Sequence, residues 1–180
     1  MTVTDDAPAR VSKSSDVRTR VGEGSVSGHT ETINRPRREI YDFWRDFSNL
    51  ARVMDNVEAV TVLDDTRSHW VVSGPSGRLE WDAVITEDEP GRRIAWRSAE
   101  NADVQHSGWV EFRDAPPGRG SWVTAAIAYN PPAGIIGKAV AKLSQREPSI
   151  QARRDLRRLK QFLETGEIAT SSPPNPEPHS

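Results

Sequence analysis

Between residues 57 and 130 the chain alternates apolar and polar side chains in short runs, each closed by turn-forming residues. Period-two alternation sends successive side chains to opposite faces of a sheet, so this stretch is confined to antiparallel strands joined by hairpins. Leu79, Trp81, Ala83 and Ile85 alternate with Glu80 and Asp82, and Ile94 and Trp96 alternate with Arg93 and Arg97. Turns are signalled at Asp64-Asp65, at GPSG from Gly74, at Glu89-Pro90-Gly91 and at DAPPGRG from Asp114. The strands read as 57–63, 69–73, 79–86, 93–98, 106–113 and 121–130.

The flanks have a different period. A Thr- and Val-rich strand over 25–33 leads into a helix in which Asn34 is a candidate cap and Pro36 stands near the first helical position. Ile40, Phe43, Trp44 and Phe47 recur along it at helical spacing, and a short helical turn follows at 50–54. After the strands, 134–143 reads as a small apolar helical segment. A long helix then runs from Pro148 to Thr165, where Gly166 stops it. Ala152, Leu156, Leu159 and Leu163 form one apolar stripe on that helix. The stripe needs a broad apolar partner, and one face of the sheet is the candidate. The pattern predicts an α+β helix-grip fold: a curved antiparallel sheet of about six to seven strands around a long C-terminal helix, with two short helices after the first strand.

Residues 1–24 are polar and residues 169–180 are proline-rich, so neither segment buries enough apolar surface to offset chain entropy. Both read as disordered tails around one domain over 25–168. The leading segment lacks the apolar core of a secretory signal and no run is long enough to span a membrane, which predicts a cytoplasmic protein. Lys and Arg total 24 against 26 Asp and Glu, a net charge of -2. Such a balance supplies no global field for nucleic acid, which is not an expected partner. With no Cys, no HExxH and no paired His, no metal site is expected. Without a GxSxG, Walker or GxGxxG motif, no cofactor is expected either.

The segments TINRPRREIYDFWRDFSNLARVMDNVEAV, GPSGRLEWDAVITEDEPGRRIAWRS and YNPPAGIIGKAV…DLRRLKQFLETGE, in this order, resemble the SRPBCC superfamily (START-like proteins, polyketide cyclase/dehydrase group). The resemblance covers roughly residues 25–168 and implies a deep, mostly apolar cavity between the C-terminal helix and the sheet. The superfamily spans lipid carriers, cyclases, aromatases, receptors and chaperone-like modules, so it implies a scaffold rather than a substrate. It carries over no catalytic residue.

Polarity assigns the faces. Glu80 and Asp82 belong in water, which turns Trp81, Ala83 and Ile85 inward. By the same rule Ile94, Trp96, Val110 and Phe112 point inward, with Gly108 and His106 further along that face and Trp70 and Val72 joining them. On the last strand Val123, Ala125, Ile127 and Tyr129 are taken as inward, and Trp122, Thr124, Ala126 and Ala128 as outward. The inner rings either pack as solid core or wall a ligand cavity. The small residues Ala83, Gly108 and Ala125 between them favour open space.

The expected ligand is therefore a small hydrophobic molecule such as a lipid, polyketide or aromatic metabolite. Trp70, Trp81, Ile94, Trp96, His106, Phe112 and Tyr129 would wall its site. Ile135 and Ile136, bracketed by Gly134 and Gly137, would cover it as a lid. A second function class is a cofactor-free cyclase or dehydratase with His106 and Tyr129 as proton-transfer groups, set against the plain reading of His106 as a half-solvated strand-end residue. A third is a protein-interaction or stress-response module using Trp109 and Trp122, which point outward unless an Arg stem covers each ring. His29 and His69 read as surface residues. Arg153, Arg154, Arg157 and Arg158 form either a solvated helix face or a peripheral membrane contact. The oligomeric state is left as monomer or dimer.

Overall fold

The computed structural model describes residues 25–74, 77–100, 102, 105–130 and 148–168. Seven strands run in the order β1 (Ser25–Ile33), β2 (Val57–Val62), β3 (Arg67–Gly74), β4 (Gly77–Glu89), β5 (Arg93–Ser98), β6 (Gln105–Asp114) and β7 (Ser121–Asn130). Helix α1 (Arg37–Arg45) and a 3-10 helix (Phe47–Arg52) connect β1 to β2, and α2 (Pro148–Thr165) ends the described chain. The strands form one antiparallel sheet in the order β1-β7-β6-β5-β4-β3-β2. From β3 to β7 each strand pairs with its predecessor, as alternation punctuated by turns requires. β1 closes the order by pairing with β7. Among the described residues no helix is long and apolar enough to cross a membrane.

α2 buries Ala152, Leu156 and Leu159 against the sheet, where Ile33, Ile94, Val110, Phe112, Val123 and Ala125 are also sealed from water. Leu163 packs on the edge of that core. Gly166, at φ +79°, donates its N–H to the Phe162 carbonyl at 2.8 Å and stops the helix. Two further contacts fix α2 to the start of the fold. The Asn34 N–H donates to Glu164 Oε1 at 2.7 Å, and Arg158 Nε donates to the Val53 carbonyl at 2.8 Å. Burial pushes the Glu164 carboxyl up, but the Asn34 N–H and Lys160 outweigh it and hold the group below its ordinary value.

Several sequence expectations are corrected here. Asn34 does not cap α1; Pro36 occupies that position without a side-chain cap, and the Asn34 N–H serves Glu164 instead. The helical turn after α1 is the 3-10 helix at 47–52, earlier than 50–54. β4 does not stop at Thr86 but runs to Glu89 through a bulge between Ile85 and Glu87. The extra residue resets the alternation and brings Asp88 under α1, where it accepts from Tyr41 Oη at 2.5 Å and Arg45 Nε at 2.6 Å. Burial, and then Asp88, push the Tyr41 phenol up to about 12. His29 is buried rather than superficial, because β1 pairs it with the inward Ala125; its Nε2 lies 3.5 Å from Glu31 Oε2. The expected helical segment at 134–143 and both expected tails lie outside the described residues.

Candidate functional site

The alternation in the strands and the helical spacing in α1 aim their bulky side chains at one region. α1 contributes Trp44 and the 3-10 helix contributes Phe47 and Leu50. β3, β4 and β5 contribute Trp70, Trp81 and Trp96, and His106 comes from β6. Gln151 and Asp155 enter from the first half of α2, with Asn56 beside them from the turn before β2. Together they line a cavity of about 100 Å³ between the sheet and α2. That is several times the roughly 10–15 Å³ one water needs and below the roughly 300–1,000 Å³ of a drug-sized site. Its shape suits a compact ligand or the inserted end of a longer one.

The rings are in serial contact. Phe47 meets Trp96 and Trp70 edge-on, with centroids 6.0 and 5.7 Å apart. Trp70 lies parallel to Trp81 at 6.5 Å, and Trp81 meets the His106 ring edge-on at 4.9 Å. Such edge-to-face contacts hold the rings in fixed orientations and leave a continuous aromatic wall. Trp70 satisfies its indole N–H by donating to Ser68 Oγ at 2.9 Å. Trp44 does not: its buried Nε1 finds no acceptor among the described residues.

The polar part of the lining is concentrated on one side. Gln151 Nε2 donates to Asn56 Oδ1 at 2.8 Å and to Asp155 Oδ1 at 2.9 Å. Burial pushes the Asp155 carboxyl up to about 7; Gln151 opposes the shift, nearby Asp55 adds to it, and Arg158 and Arg154 lower it.

The residues expected from the sequence separate by position. Trp70, Trp81, Trp96 and His106 line the cavity. Ile94 and Phe112 face the same side but are fully buried away from it, Phe112 against the edges of Tyr41 and Trp44. α1 covers that end of the sheet, so these two are core rather than cavity wall. Tyr129 pairs with His106 across β6 and β7, but its side chain lies outside the described residues, as do Ile135 and Ile136. Trp109 and Trp122 point outward; Arg93 covers the first, its guanidinium carbon 4.7 Å from the ring centroid, and Trp122 is 43% exposed. Of the four arginines, 153, 154 and 157 are exposed, whereas Arg158 is drawn in to Asp55 at 2.7 Å. His69 is half-exposed and holds Asp82 at 2.7 Å through Nδ1.

Trp44, Asn56, Gln151 and Asp155 were not anticipated as lining residues. The available signal was Asp155 itself, a carboxyl about 60° round the helix from Ala152 and so at the margin of the apolar stripe.

A curved antiparallel sheet closed on a C-terminal helix, with an apolar cavity between them, defines a START-like helix-grip protein. The chain belongs to the family described as polyketide cyclase/dehydrase and lipid transport, which it matches over residues 33–163. It is similar to DR_A0006 from Deinococcus radiodurans, whose crystal structure is 40% identical with a TM-score of 0.63 over 79% of this chain and 100% of that one. The Zhui aromatase/cyclase from Streptomyces sp. R1128 shares the fold at 16% identity and a TM-score of 0.64, over 82% of this chain and 100% of that one. An uncharacterised 17.2 kDa protein of Streptomyces lincolnensis, encoded between melC2 and rnhH, is 32% identical over 80 residues. That match spans 44% of this chain and about half, 53%, of the curated relative.

Proposed function

We propose that the chain binds a compact hydrophobic molecule in the cavity between the sheet and α2, to carry or sequester it. One observation carries this reading: Phe47, Trp70, Trp81, Trp96 and His106 stand in serial contact around open space instead of filling it. Close-packed interiors leave few voids larger than a water, so an aromatic wall around such a volume marks a place for a ligand. The family description, which joins cyclisation and dehydration of polyketides with lipid transport, supports a ligand of this class. Native mass spectrometry of freshly purified protein tests it, alongside tryptophan-fluorescence titration with a panel of hydrophobic molecules. Co-purified mass or a saturable response is expected; neither appearing contradicts the reading.

A cofactor-free cyclase or dehydratase is the second reading, favoured by the presence of His106 and Asp155 in one cavity. Imidazole and carboxyl are both groups that can transfer a proton in catalysis. Under this reading His106→Ala, Asp155→Asn and Tyr129→Phe each lower turnover of a polyketide-like substrate, and unchanged turnover in all three removes it.

A further inference from the structure

The side of the cavity formed by α2 is polar, which an apolar ligand alone does not use. Asn56, Gln151 and Asp155 are joined there by the two amide hydrogen bonds of Gln151. Holding a carboxyl beside apolar rings costs free energy, and its burial is what moves its ionisation toward neutrality.

We infer that the cavity selects an apolar molecule bearing a neutral hydroxyl, whose O–H donates to Asp155. This rests on the ligand-binding reading above and specifies its chemistry. Arg158 is paired with Asp55 at 2.7 Å, so these two charges offset each other beside Asp155 and favour no ionised ligand group. A hydroxyl, which both donates and accepts, fits Asp155 with or without its proton. Sites built to hydrogen-bond a substrate hydroxyl reject the analogue that lacks it, because their own buried groups are then left without partners.

The matched probes p-cresol and toluene test this by NMR titration of the full chain. The wild-type protein is expected to bind p-cresol about tenfold or more tightly than toluene, in line with a hydrogen bond to an ionisable group. Asp155→Leu is expected to collapse that ratio to about one. In the wild-type protein the Gln151 side-chain amide protons should shift with p-cresol and stay in place with toluene, a readout that does not depend on the variant folding. Equal affinities in the wild type, a ratio that survives Asp155→Leu, or Gln151 protons indifferent to p-cresol would each overturn the assignment while leaving cavity binding intact. If neither probe binds, the hydroxyl assignment fails, and a hydrophobic panel and native mass spectrum that are also silent take the ligand-binding reading with it.

Discussion

Gly108 lies directly beneath the indole of Trp96: a Cβ at Gly108 would sit 2.4 Å from Cζ2 and 2.7 Å from Cε2 of that ring. The two are cross-strand partners on the inner face of β5 and β6, so the missing side chain is what lets the ring lie flat along the cavity wall. Gly108→Ala is expected to push the Trp96 ring into the cavity and to cost about 1–3 kcal/mol, the range for overpacking. Thermal unfolding and the tryptophan emission maximum check it. A variant with wild-type emission and stability would show that the ring has room elsewhere.

Two glycines of the β6–β7 turn separate backbone strain from collision. Gly118 and Gly120 both hold positive φ, +80° and +76°. A Cβ on Gly118 meets nothing within 4 Å, whereas one on Gly120 would lie 2.1 Å from the Ile33 carbonyl oxygen. Gly118→Ala should therefore cost about 1–2 kcal/mol, the left-handed penalty alone. Gly120→Ala should cost clearly more, since backbone must move, and urea denaturation of the pair gives the comparison.

Tyr41 donates to Asp88, which Arg45 also holds. Tyr41→Phe leaves the ion pair and is expected to cost roughly 1.5–3 kcal/mol, the range for a hydrogen bond to a charged acceptor. The Tyr41 phenol is pushed up to about 12. Spectrophotometric titration of Tyr41→Phe should lack the ionisation step near that pH, and a retained step contradicts the assignment.

Asp155 makes stability depend on pH with a definite sign. Its carboxyl is raised in the folded chain from 3.8 to about 7, so between those values the folded state holds a proton that the unfolded state has released. The resulting stabilisation is complete below the unfolded value and is lost as pH rises through the folded one. Melting temperatures measured from pH 4 to 8 should fall more steeply for the wild type than for Asp155→Asn. Parallel curves would mean that the carboxyl titrates as it does in water.

The sheet was legible because its strands carry clean alternation; β1, β5 and β7 begin and end where the sequence places them, as does α2. β4 was read short because its bulge breaks the alternation at Thr86, so Glu87 and Asp88 look like turn residues when they continue the strand. Polarity also assigned Trp81, which stands between Glu80 and Asp82, and Trp96, whose strand carries Arg93 and Arg97 on the other face. It failed where burial is set by another element. Ile94 and Phe112 have the right face, but α1 seals them, and no pattern within a strand reports what lies above it. Asp155 is the converse case. Its neighbours Arg153, Arg154 and Arg157 advertise a solvated face, and the cavity that receives its carboxyl exists only once Asn56 and the rings are in place.

Four indoles border the cavity and two point away from it, so the six tryptophans supply the reporters. A ¹H–¹⁵N spectrum resolves indole N–H signals, and p-cresol titrated into the full chain reads them together. Saturable shifts are expected for Trp44, Trp70, Trp81 and Trp96, with Trp109 and Trp122 unmoved. Shifts confined to Trp109 and Trp122, or no saturable shift at any of the inner four, would contradict that expectation.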